Sequence, residues 1–158
     1  MKPLLLALLT VLPASAALAA DPEVPYPEGY RHWHHVKSMV IEQGHPLFDA
    51  FGGIHHLYAN ATALEGYKAG RFADGAVIVF DRLDAQHAGN AVTEGARKDV
   101  AVMLKDAQKF AATGGWGFEA YAGGDPARPV VGANAATACY ACHTSEKAHD
   151  YVFSRTRD

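Results

Sequence analysis

Asp74-Gly75-Ala76-Val77-Ile78-Val79-Phe80 is the stretch on which the fold turns. Asp-Gly signals a turn, because glycine accepts left-handed backbone and aspartate tolerates the bend. The residues after it are mostly β-branched or aromatic, and they suit a pleated strand. Val100, Val102 and Leu104 alternate on a second strand, and Trp116, Phe118 and Ala120 on a third. Upstream, Gly52-Gly53 breaks the chain before a strand over about 54–59. Thr62-Ala63-Leu64-Glu65 has capping-box spacing, so a short helix should run to Ala69 and stop at Gly70. Tyr30, Trp33, Val36, Met39 and Val40 recur at helical spacing and predict a first helix over 29–41. Another short helix is expected over 106–112, ahead of Thr113-Gly114-Gly115, and a last one from near Asn134. The fold class is α+β: an antiparallel sheet with several short helices.

That last helix carries Cys139-Tyr140-Ala141-Cys142-His143. Two thiols three positions apart can add to both vinyl groups of one haem, and the following imidazole turns under the iron as an axial ligand. A zinc site usually takes four Cys or His ligands, and no second CxxC is present to complete one. A redox CxxC opens a helix after a strand in a thioredoxin-like unit, a context missing here. The reading is one covalent haem c, held by Cys139 and Cys142, with His143 as the proximal iron ligand. Both cysteines are then used, which leaves no disulfide.

The N-terminus agrees. Met1-Lys2-Pro3, an apolar run from Leu4 to Val11 and small residues up to Ala20 read as a secretory signal peptide over 1–20. The apolar core is too short to cross a bilayer. Residues 21–158 are enough for a single haem-binding domain, and in a bacterium attachment at CxxCH follows export, so a periplasmic location is expected. Without Lys2 the chain has 13 basic residues against 17 acidic ones. No basic stripe suggests nucleic acid, and no later apolar run suggests a membrane. The segment 21–28, with prolines at 22, 25 and 27, reads as an extended lead-in.

CxxCH alone leaves the function open. Small electron-transfer cytochromes place it near the N-terminus with a methionine ligand far downstream, whereas no methionine follows His143. A four-helix-bundle cytochrome needs long heptad helices, and the β-rich runs at 76–80 and 100–104 oppose them. Tyr30-Arg31-x-Trp33, Phe72-x-Asp74-Gly75-x-Val77-x-Val79, the Trp116 strand and the C-terminal CxxCH together resemble the cytochrome P-460 family. Lys105-Asp106-x-Gln108-Lys109-Phe110 and Val152-Phe153-Ser154-Arg155 strengthen the likeness, which covers essentially the whole chain after the leader. The resemblance implies a periplasmic, sheet-rich haem c protein, usually a homodimer. It also implies five-coordinate iron with an open distal side.

Within that family, a lysine on the strand after the Asp-Gly turn cross-links to the haem in the hydroxylamine-oxidising branch. The residue at that place here is Phe80, which has no nucleophile, while Lys37, Lys68 and Lys98 lie in other segments. The resemblance therefore points to the cytochrome c′-beta branch, whose members put phenylalanines over an open iron and bind nitric oxide or carbon monoxide. An aromatic wall excludes water and offers bound dioxygen no hydrogen bond. Phe80 is the first candidate for this distal cap, with Phe48 and Phe51 as candidates for a second wall. Arg82 is a candidate for a haem propionate or the distal pocket. Without the resemblance, Phe80 reads as ordinary strand core. The competing class is an enzyme, either a hydroxylamine oxidase or a weak peroxidase. A third reading is low-spin electron transfer with an unidentified redox partner.

Other residues carry weaker signals. His32 and His35 have i, i+3 helical spacing that suits a chelate, but no carboxylate or cysteine completes the set in sequence. His55 or His56 as a sixth ligand would close the iron. Met39 and Met103 read as core filler, and Trp33 and Trp116 as core.

Overall fold

The computed structural model describes residues 23–156; the expected leader over 1–20 lies outside them. Five strands, β1 (His34–Ile41), β2 (Gly53–Ala59), β3 (Val77–Ala88), β4 (Ala91–Lys105) and β5 (Trp116–Ala122), form one antiparallel meander in sequence order. Helices are short: α1 (Phe48–Phe51) and α2 (Ala61–Ala69) flank β2, and a helical run over 132–149 carries the cysteines. The α+β class is what the sheet and these helices make. Among the described residues, no helix is long and apolar enough to cross a membrane.

Each strand sends alternate residues to opposite faces. One face carries Leu57, Ala59, Ile78 and Phe118, which pack with Val36, Phe72, Trp116 and Val152. The other carries Val79, Val100, Val102 and Tyr121, which pack with Val24, Tyr30 and Phe110 from the lead-in and the β4–β5 connection. Trp116 is wholly buried, as its sequence reading held, and Trp33 is half-buried against the second cluster.

Several local expectations need correction. The helix expected over 29–41 is instead a single 3-10 turn, Tyr30–His32, followed by strand β1. Register slips between His35, opposite Tyr58, and Lys37, opposite Leu57, so Val36 is an extra, bulged residue. The bulge breaks the alternation and leaves Val36 and Ile41 as the buried members of the strand, while Met39 and Val40, which gave the apparent helical spacing, are exposed. The His32–His35 helical chelate disappears with that helix, and Met39 is an exposed strand residue rather than core. Met103 is half-buried against the first cluster.

The helix over 106–112 reduces to a turn that ends in the 3-10 segment Ala111–Thr113. Helix α2 stops at left-handed Gly70 as expected, but its cap is Asn60, whose Oδ1 accepts from the Ala63 amide at 2.8 Å. Strands β3 and β4 also run well past the predicted runs, meeting through Gly89-Asn90. Asn90 has a φ of 61°, a conformation asparagine tolerates.

Candidate haem-binding site

The CxxCH sequence lies on irregular helix. A 3-10 turn, Gly132–Asn134, leads into a π-helical stretch, Ala136–Tyr140, then into α3 (Ala141–His143) and a further 3-10 segment, Thr144–His149. Cys139 is half-buried against the apolar face of the sheet, and Cys142 is exposed. Burial, helped by the Glu119 carboxylate, pushes the Cys139 thiol up, so it is uncharged at neutral pH.

His143 lies between Phe118 of β5 and Phe153, with ring centroids 5.0 Å from each. Its Nδ1 is 2.7 Å from the Tyr151 carbonyl. A carbonyl only accepts, so Nδ1 carries the proton and Nε2 keeps its lone pair. Burial lowers the pKa of the ring, partly offset by that hydrogen bond. The imidazole is thus a neutral, oriented donor of the kind a metal takes.

Glu119 fixes how this segment leaves the sheet. Its buried carboxylate accepts from the amides of Ala120, Val130, Val131 and Gly132 at 2.7–3.2 Å. It was missed in sequence, although a lone carboxylate within 116–122 is a readable oddity.

The sheet brings the remaining candidates together unequally. Phe80 shares its face with Leu57 and lies beside Ala101, itself opposite Ala120. These small side chains leave a half-covered apolar shelf between Phe80 and β5. Phe51 meets Phe80 edge-on, centroids 6.2 Å apart. The ring of Phe48 instead lies over Gly52, and no ring contact joins it to Phe80 among the described residues. Arg82 is committed elsewhere: its guanidinium pairs with Asp99 and donates to the Ala50 carbonyl, tying α1 to the β3–β4 ladder.

His55 is fully buried with its ring centroid 4.5 Å from that of Phe80. Nε2 donates to the Phe51 carbonyl, which leaves Nδ1 as a buried acceptor with no partner among the described residues. Burial lowers its pKa, so the ring is neutral. His56 lies elsewhere, in a surface chain with Ser38 (2.6 Å) and Glu94 (2.7 Å), and His35 also bonds Ser38 at 2.8 Å. Among the described residues, no three His, Cys, Asp or Glu side chains group to hold a metal ion.

Haem needs thiols, an oriented imidazole and an apolar bed, and these residues fit it. Phe51 and Phe153 are also exposed apolar side chains beside the shelf and the imidazole, which a flat hydrophobic group would cover.

Comparison with curated proteins gives no match. Against known families, residues 27–154 match the model described as Cytochrome P460. That span takes in the whole sheet and the CxxCH turn. The chain is therefore a haem-binding cytochrome and belongs to the cytochrome P460 family.

Proposed function

We propose that this is a periplasmic mono-haem c cytochrome that binds nitric oxide or carbon monoxide at five-coordinate iron. Cys139 and Cys142 hold the haem as thioethers, and His143 is the proximal ligand. Bound haem supplies an iron with one open position. The observation that carries the gas-binding reading is Phe80, a hydrocarbon side chain on the strand after the Asp-Gly turn, in edge contact with Phe51. Carbon monoxide and nitric oxide bind without a hydrogen-bond donor, whereas dioxygen and peroxide need polar help. Export rests on the leader over 1–20, and a homodimer on the likeness to the c′-beta branch. Binding, sensing, storage or detoxification of nitric oxide is the use that follows.

Denaturing mass spectrometry of the matured chain should find one haem retained. That mass should be lost when Cys139 and Cys142 are both replaced by alanine. The ferrous protein should then bind carbon monoxide, and hydroxylamine with an electron acceptor should give no turnover. Steady turnover would reverse the reading.

One observation favours a second reading. The Nδ1 of His55 beside Phe80, without a partner among the described residues, is an acceptor suited to a ligand with an N–H or O–H group. That suits an enzyme acting on hydroxylamine better than a purely apolar gas pocket.

A further inference from the structure

The carbonyl that orients His143 belongs to an unusual turn. Asp150 and Tyr151 are consecutive non-glycine residues with φ of 53° and 64°. Each costs on the order of 1 kcal/mol in this region, so surrounding contacts must hold them there.

Those contacts converge on Asp150. Its Oδ1 takes the Lys105 ammonium at 2.7 Å, and its Oδ2 accepts from the Phe72 amide at 2.9 Å. Its carbonyl accepts from Trp116 Nε1 at 2.8 Å. Lys105, nearly buried, also donates to the Gly114 carbonyl at 3.1 Å and lies 5.0 Å over the Trp116 ring. Gly114 has a φ of 67°, and a Cβ there would strike the Tyr151 ring, so the ring lies directly on bare backbone. Anchors from β4, β5 and the segment after α2 thus fix one two-residue turn, and its product is a carbonyl 2.7 Å from His143 Nδ1.

We propose that Asp150, clamped by Lys105, is a positioning residue for the iron ligand, setting the proximal bond through the Tyr151 carbonyl. The inference rests on the reading of His143 as the haem ligand. A strong Nδ1–H to carbonyl bond makes the imidazole a richer donor, which strengthens the iron–histidine bond and favours ferric iron. Releasing the turn weakens both effects.

The test uses the haem-loaded full chain, comparing the ferrous iron–histidine stretching band and the midpoint potential in wild type, Lys105→Met and Asp150→Asn. Asparagine tolerates left-handed backbone and still accepts from Phe72, so Asp150→Asn loses the charge pair with little threat to folding. Both variants should lower the stretching frequency and raise the potential, with Glu65→Gln, at an exposed surface pair, unchanged in both. If Lys105→Met does not fold, Asp150→Asn decides alone. A wild-type band that stays put in the folded variants overturns the positioning role. Absence of any iron–histidine band in wild type would instead overturn the ligand assignment on which it rests.

Discussion

Phe80 and His55 are neighbours with opposite chemistry, and each carries a prediction. If Phe80 caps the distal side, Phe80→Ala should speed carbon monoxide association with the ferrous protein. About tenfold corresponds to roughly 1.4 kcal/mol off the entry barrier. Flash photolysis reads the rate, and an unchanged rate would leave Phe80 as plain core. His55 speaks to pH. Its folded pKa is depressed by burial, so its contribution to stability is present above the ordinary histidine value of about 6.5 and is lost as pH falls below it. Denaturation at several pH values should show wild-type stability falling from about pH 7 to pH 5, and His55→Leu should flatten that slope. The place of Phe80 on β3 was legible because counting from an Asp-Gly turn locates it. That Phe51 rather than Phe48 touches Phe80 was not, since it depends on how four helical residues pack over Gly52.

At the scale of elements, Glu119 joins strand β5 to the helical run that bears the cysteines. One buried carboxylate serving several amides gives charge-assisted bonds, so Glu119→Gln should cost about 1–3 kcal/mol in chemical denaturation. It should also lower the yield of haem-loaded chain. A stability change within error would show that the amides find other partners. Strands β3, β4 and β5 were readable because β-branched and aromatic residues recur in them over 76–80, 100–104 and 116–120. Strand β1 was not, because the bulge at Val36 breaks its period of two and the exposed Met39 and Val40 follow Val36 at helical spacing. The Lys105–Asp150 clamp stayed invisible for another reason: it joins residues 45 apart through a backbone conformation that residue types do not announce.

The two faces of the sheet divide the labour of the whole molecule. The face with Phe80 and Phe118 lies under the cysteine-bearing helical run, while the opposite face is closed by the N-terminal lead-in. The second closure depends on Asp81, nearly buried, which accepts from Tyr30 at 2.7 Å and pairs with Arg97 at 2.6 Å. Asp81→Ala removes the partner of the half-buried Arg97 and of Tyr30 and should cost about 1–3 kcal/mol, read by denaturant titration. Haem attachment should survive that change, because the network lies on the face away from His143. The overall class followed from sequence because antiparallel meanders with one covered and one part-covered face print their alternation. The haem reading began from CxxCH, and the family match supports haem binding. Which gas or substrate it takes depends on what stands above the iron, so the most direct test is the absorption spectrum of the matured, reduced protein, with and without carbon monoxide and nitric oxide. The account predicts an ordinary high-spin haem c band that shifts on adding either gas. A strongly red-shifted reduced band, or a low-spin spectrum indifferent to both gases, would contradict it.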